Sequence, residues 1–547
     1  MKLTVNGKTI ECAPGATYRD AAEQLGLGRA ALGVFLGGAT ISLLAPVEDG
    51  AQARFITLAD EEGRRIYERT LQFVMLAAAR RALPGRKLRI EHSFGEGVYA
   101  HVPGESLSQR EVNAVRARMR ELVETDAPIV PVHGTKAAAM EYFGQMGQND
   151  KLRLIRYRYH EHFPLYELDG MREYFYGEMA PSAGYVAVHA LVHYHPGMVT
   201  LMPDPADFSR PAAFRDMPKL ARVFAQSAKW GQILGCANVA DLNEMVEKKR
   251  LREFIRINEA LHERSIEAIA DQFAASGARV ILIAGPSSSG KTTFAHRLLI
   301  ALKVLGYRPI KLSLDDYYVD RDKIPLEADG RPDLERIETL DLELLNEQLL
   351  QLLQGEVIAA PVFDFVRGRR QPETHPVSVE SGQPIIIEGI HGLNDALTSA
   401  VPRDMKFKIY ISALTTLNLD DHNRIRTTDA RLLRRIVRDN LFRGTPPEDT
   451  MLMWDSVRRG EEKYIFPYQE QADVMFNSSL AYELPIMKKY AYPALCQVPK
   501  ESPCYTRARR LVKFLNYFTT ADVEDEIPVN SILREFIGGC CFYREED

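Results

Sequence analysis

The sequence predicts an α/β protein whose C-terminal half is a parallel sheet wound with helices, preceded by a small β-rich module and an α+β region. Three observations carry that expectation. Beyond Gly277, apolar runs alternate with helical segments in the order RVILIAG, KTTFAHRLLIALKVLG, PIKLSLD, LDLELLNEQLLQLLQG, PIIIEG and KFKIYIS, which is the mark of a parallel sheet. The amino terminus, MKLTVNGKTIE, instead alternates polar and apolar residues at period two, as a half-buried strand does. At 547 residues, 46% hydrophobic and 26% charged, the chain is long enough for several domains and lacks the bias of a disordered or fibrous one.

Taken in order, residues 1–59 read as strand, turn at Gly15, short helix ended by Gly26, and then strands through ALGVFLGGATISLL and ARFITL. From 61 to 83, Ile66, Leu71, Phe73, Val74, Leu76 and Ala77 recur near helical spacing and stop at Pro84-Gly85. Ser108 stands three residues before Glu111, a capping box that predicts a helix over 108–125. GYVAVHALVHYH follows as a strand-like run, so 60–230 reads as an α+β domain. A long amphipathic helix is expected over 238–275, within a connector spanning 231–277. The parallel-sheet domain takes 278–495, and 496–547 forms a helical extension.

Lys plus Arg (69) against Asp plus Glu (74) gives a net charge of -5, with no global pull toward nucleic acid or an anionic membrane. No run approaches the roughly 18 apolar residues of a membrane-spanning helix, and no signal-peptide core is present. Six cysteines without a CxxC pair argue against a disulfide scaffold. A cytoplasmic protein without a membrane partner is expected, and a homo-oligomer is left open.

Gly285-Pro286-Ser287-Ser288-Ser289-Gly290-Lys291-Thr292 fits the GxxxxGK[ST] phosphate loop at every fixed position, and Thr293 extends it. It follows a buried strand and opens a helix, so its amides face a polyphosphate, Lys291 holds the β and γ phosphates, and Thr292 offers a hydroxyl to Mg²⁺. The next strand ends in Asp315-Asp316-Tyr317-Tyr318, which puts Asp315 toward the γ-phosphate as a base and an indirect metal ligand, unless the pair only caps a turn. A third strand ends in Glu388, which resembles the acid that supports the metal, unless it is merely a strand-end acid. Arg431, Arg434, Arg435 and Arg438 recur at helical spacing, with Arg443 beyond them; they suit either a lid over a transferring phosphoryl group or a solvated face paired to acids.

GPSSSGKTT, SLDDYY, PVFDF, IIIEGIHGLN, RRIVRD and FPYQEQADVMFNSSLAYEL together resemble the uridine kinase and phosphoribulokinase group of P-loop kinases, over about 279–485. The resemblance implies that Lys291 and Thr292 bind ATP and Mg²⁺, that Asp315 is the base on the sugar hydroxyl, and that Arg435, Arg438 and Arg443 serve the lid. It also implies that Tyr318 and Phe363 line the acceptor and that Asp329 or Asp333 holds ribose hydroxyls. Uridine kinases carry Tyr and His where this chain has Phe363 and Gly368, so the polar basis for reading a pyrimidine is lost.

The N-terminal half resembles other families: 1–59 the TGS domain, and 60–225 the editing-type second additional domain of threonyl-tRNA synthetases, through SFGEGVYAHV and RARMRELVE. The positions that would need His, His, Cys and His hold Phe73, Ala77, Phe175 and Met179, which implies a catalytically degenerate scaffold. His189, His193 and His195 in HALVHYH raise a zinc site that lacks accompanying acids or cysteines, and KLRLIRYRYH reads as a solvated strand face, with an RNA-tracking strand as the alternative. The function expected is an ATP-dependent nucleoside kinase acting on a small sugar-bearing acceptor. The alternatives are a kinase of another pentose metabolite, or an RNA- or tRNA-associated regulator binding through the N-terminal half.

Overall fold

The computed structural model describes residues 1–158, 161–324, 333, 335–364 and 367–542. The N-terminal sheet has five strands in the order Lys8–Glu11, Lys2–Val5, Ala51–Ile56, Gly33–Leu36 and Ala39–Ile41. The helix Tyr18–Gln24 lies beside it, opened by a Thr17/Asp20 capping box. The 22-residue helix Glu61–Ala82 follows and is buried along most of its length. Gln109–Glu124 packs along it, with the expected Ser108/Glu111 box in place. One continuous apolar core runs from Leu3 to Met198, so the β-rich module and the following region share an interior across residue 59.

Three local readings are corrected. GYVAV is a 3₁₀ turn over Ala183–Val186, and only Ala190–Tyr194 is a strand. The 238–275 segment is two helices, Val239–Glu247 and Leu251–Ser276, because Lys249 takes a left-handed conformation (φ 55°) that ends the first; hydrophobic spacing carries no trace of it. KLRLIRYRYH begins as the helix Asn149–Ile155. Most of its described cations are engaged within the fold: Lys151 is 2% exposed, Arg153 pairs with Asp241 and Glu244, and Arg158 lies over the Tyr517 ring, while Arg156 is exposed. Tyr159 and His160 lie outside the described residues.

The C-terminal half holds a five-stranded, wholly parallel sheet in the order Ile310–Ser313, Ile385–Glu388, Val280–Ala284, Lys406–Ser412, Val474–Asn477. Period-two alternation splits its side chains cleanly. Ile281 and Ile283 face a core with Phe294, Leu298 and Phe273, while Val280 and Leu282 face one with Leu345, Leu349 and Leu352. The strand Ile310–Ser313, which leads into the 3₁₀ turn Leu314–Tyr317 that carries Asp315, is not the neighbour of Val280–Ala284, as the sequence order suggests; Ile385–Glu388 stands between them.

The two halves interlock through buried charge. Arg65 of the long N-terminal helix reaches Asp429 (2.9 Å) and Glu61 (2.7 Å), and Glu68 takes Arg424 (2.9 Å) and Arg426 (2.8 Å). Lys151 bridges Asp420 (2.7 Å) and Glu173 (2.9 Å), and His422 meets the same Glu173. Backbone joins backbone as well, from the Ile90 amide to the Asp421 carbonyl at 2.8 Å. No helix among the described residues is long and apolar enough to cross a membrane.

Candidate active site

The loop 285–290 leaves the strand Val280–Ala284 and runs into the helix Lys291–Val304. Gly290 is the helix N-cap at φ 82°, a conformation only glycine adopts at low cost, and it turns the first-turn amides toward the carboxyl ends of the strands. Among the described residues the amides of Gly290, Lys291 and Thr292 have no hydrogen-bond acceptor, as expected of a helix start that waits for an anion. Lys291 Nζ donates to the Gly285 (3.0 Å) and Pro286 (3.3 Å) carbonyls. Burial lowers its pKa from the ordinary lysine value, against the raising effect of Glu388, Glu535 and Glu461.

Thr292 Oγ1 donates to Glu388 Oε1 at 2.6 Å, so the two residues picked out as metal-associated converge from different elements. Among the described residues Glu388 Oε2 is buried without a hydrogen-bond donor, and the Lys311 ammonium stands 3.5 Å from it. This donor set, a hydroxyl and a carboxylate with spare oxygen lone pairs, fits Mg²⁺, a hard cation that takes few protein ligands. Asp315 sits exposed at the rim. The protein around it, then the charges of Glu388 and Asp316, raise its pKa from the usual aspartate value, with Lys311 and Lys291 opposing. Among the described residues no cluster of three or more His, Cys, Asp or Glu is placed to hold a metal by itself. His189 and His193 each face a carbonyl instead, Val186 O at 2.7 Å and Leu107 O at 2.8 Å.

The arginine helix Thr427–Phe442 divides its cations between two tasks. Arg431 and Arg434, at 1% and 0% exposure, are braces. Arg431 bonds the Ser287 carbonyl (3.0 Å) and Glu461 (2.5 and 2.7 Å), while Arg434 bonds the Ser288 carbonyl (3.4 Å) and Glu483 (2.5 Å). Glu461 also accepts the Ser287 amide (2.9 Å). Burial raises its pKa, but Arg431 and Arg458 outweigh that and hold it below the ordinary glutamate value. Arg435, Arg438 and Arg443 gather around one buried carboxylate, Asp439, at 3.2, 2.8 and 3.6 Å, and Arg435 also donates to Ser287 Oγ at 2.9 Å. Three guanidinium groups sharing one carboxylate leave excess positive charge beside the loop, the charge a transferring phosphoryl group requires.

On the acceptor side, Tyr318 and Phe363 rings lie 5.8 Å apart, and the Phe363 amide donates to Asp316 (3.3 Å). Gly368 has φ 66°, and a Cβ there would stand 2.4 Å from Arg321 Cδ, so no His fits without moving that arginine. Asp333 is held by the Tyr464 hydroxyl (2.8 Å) and the Glu335 amide (3.2 Å), so both its oxygens already have donors. Asp329 lies outside the described residues. Thr293, named with the loop, is fully buried, and both its donors go to Glu535. Glu461, Asp439, Glu483 and Glu535 were not legible as site residues, since each is one acid in an ordinary helix or turn and acquires its role from partners distant in sequence. In the N-terminal half, Phe73, Ala77, Phe175 and Met179 are all buried, with the Phe73 and Phe175 rings 5.2 Å apart.

Comparison with known proteins covers this C-terminal region. Residues 280–483 match the Phosphoribulokinase / Uridine kinase family model. The uridine kinase of Lactobacillus helveticus is 31% identical over 197 residues, 36% of this chain and 84% of that protein. That of Bacillus pumilus is 32% identical over 197 residues, with the same shares of each chain. A solved structure of a possible uridine kinase from Bacillus stearothermophilus aligns at 20% identity and a TM-score of 0.27, over 39% of this chain and 96% of that one.

Proposed function

Because the chain belongs to the phosphoribulokinase and uridine kinase family, we propose that it is an ATP-dependent, Mg²⁺-requiring kinase that moves the γ-phosphate to a sugar hydroxyl of a nucleoside or a related pentose-bearing acceptor. The observation that carries the reading is the convergence of Thr292 and Glu388 at 2.6 Å beside Lys291, with Asp315 acting electrostatically on the same group. In this role the amides of the loop and Lys291 cradle the phosphates, and Thr292 and Glu388 hold the metal. Bound there, Mg²⁺ would offset charge on the phosphoryl oxygens. Asp315 accepts the hydroxyl proton, and its raised pKa suits a base that must release that proton again. Arg435, Arg438 and Arg443 stabilise the charge of the transferring group.

The acceptor side offers Phe363 and a glycine where a pyrimidine reader would need polar groups, which supports weak base discrimination or a non-pyrimidine acceptor. For the N-terminal half the proposal remains a TGS-like module (1–59) and a degenerate editing-type domain (60–230), then a connector (231–277), with the kinase over 278–495 and an extension over 496–547. The buried Phe73–Phe175 contact supports a scaffold without hydrolytic chemistry, and a cytoplasmic protein is the setting we propose. Lys151 and Arg158 are buried and Arg153 is paired to acids, which leaves Arg156 as the exposed cation of the 151–158 stretch and gives the RNA-binding alternative little support. ATP turnover by the purified chain against nucleosides and pentose phosphates is the test: phosphorylation of a hydroxyl acceptor, abolished in Lys291→Ala, is expected, and a chain that binds ATP but phosphorylates no such acceptor would overturn the reading.

A further inference from the structure

The segment that follows the family-matched region folds back onto the phosphate loop. Glu535 Oε2 accepts the Thr293 hydroxyl at 2.7 Å and the Thr293 amide at 3.3 Å. Thr293 is the third residue of the loop helix, so its amide is one of those with no intrahelical partner, and such amides cradle a nucleotide's phosphates. The carboxylate is not an isolated cap. Ile532 stands where a Cβ on Gly290 would lie, 2.4 Å away, and Phe536 sits under the Arg434 guanidinium at 5.0 Å. Glu535 also acts electrostatically on both Lys291 and Arg443, the cations flanking the phosphate path. The 531–538 segment is therefore wedged between the loop helix and the arginine helix, with one acid aimed at donors a polyphosphate would use.

We infer that Glu535 is a residue of the nucleotide site that opposes binding: its carboxylate occupies loop-helix donors that a polyphosphate would use, and nucleotide and C-terminal segment compete for Thr293. This rests on the nucleotide reading given above. The two anions seek the same donors, so the carboxylate weakens nucleotide binding and leaves the amides of Gly290, Lys291 and Thr292 as the loop-helix donors open to phosphate. Displacing the segment is part of the cost of binding a full nucleotide.

Calorimetric titration of the full chain separates the possibilities. Glu535→Gln keeps an acceptor oxygen and the side-chain shape but removes the charge. It is expected to tighten ATP and inorganic tripolyphosphate by about tenfold at low salt, less at high salt, and to leave adenosine unchanged, because charge repulsion at short range is screened by ions. Equal or weaker binding of ATP by Glu535→Gln overturns the inference. Hydrogen exchange on the wild-type chain gives a second measurement independent of any variant: protection over 531–542 is expected to fall when ATP is added, and unchanged or increased protection overturns the competition. Wild-type chain that does not bind ATP, or binds it equally after Lys291→Ala, would instead sink the nucleotide reading on which the inference stands.

Discussion

Replacing Lys151 by Met tests the interlock between the two halves. The ammonium is 2% exposed and lies 2.7 Å from Asp420 and 2.9 Å from Glu173, themselves 1% and 0% exposed. Methionine matches the length of the side chain but leaves two carboxylates facing one another out of water. Removing one partner of a buried pair costs about 3–5 kcal/mol. One cation serves both acids and His422 still meets Glu173, so the two losses do not add, and about 4 kcal/mol is expected. The effect carries a pH signature. Burial raises the Glu173 pKa, but Lys151 and then His422 overcome it and hold it at about 2. A carboxyl depressed in this way adds stability above its unfolded pKa and loses it as pH falls toward 2. Without Lys151 the depression shrinks, so the deficit is largest near neutrality and narrows on acidification toward the ordinary glutamate range. Lys151→Met with Asp420→Asn should recover more than half of it. Urea and thermal unfolding of the three proteins between pH 3 and 7, a range that spans the fall from the ordinary glutamate value, provide the assay. A single variant within about 1 kcal/mol of wild type, or a deficit that ignores pH, would refute the reasoning.

Lys291→Ala should lower phosphoryl transfer by roughly 10²–10⁴ with the fold retained, read from steady-state rates beside circular dichroism. Asp315→Asn should depress kcat far more than ATP affinity; in the wild-type chain the acid limb of the rate profile should fall above the ordinary aspartate value, since the base works ionised and its pKa is raised, and Asp316→Asn should move that limb to lower pH. Gly368→His should lower thermal stability and fail to create a pyrimidine preference, because the positive φ and Arg321 both oppose a side chain there; a gain in uridine selectivity would contradict the geometry.

The parallel sheet and the phosphate loop were legible because each leaves a local imprint: apolar runs of strand length, and fixed residues at fixed spacing beside a helix start. Strand order left none, and the insertion of Ile385–Glu388 beside Val280–Ala284 is a matter of chain crossing, not of composition. Lys249 escaped because a lone left-handed lysine does not disturb hydrophobic periodicity. The burial of Lys151 and Arg158 was hidden, and their stretch read as a solvated strand face, because their partners, Asp420 and Tyr517, lie hundreds of residues later. The same blindness hid the division within the arginine helix. Spacing alone cannot say that Arg431 and Arg434 meet buried Glu461 and Glu483 while Arg435 and Arg438 meet Asp439.

The interlock also sets a timetable for synthesis. Glu68 and the Lys151–Glu173 pair are made early, yet the groups that neutralise Glu68 or complete the pair's network, from Asp420 to Arg426, come later by about 250 residues or more. At roughly 5–20 residues per second a ribosome needs on the order of ten to fifty seconds to cover that gap. Throughout it the N-terminal half holds Glu68 without Arg424 and Arg426 in what will become a dry interior, together with the apolar surface that later closes over the 417–437 stretch. A nascent chain in that condition is a natural client for a holding chaperone. Premature termination anywhere before the arginine helix should yield insoluble fragments instead of a freestanding N-terminal domain.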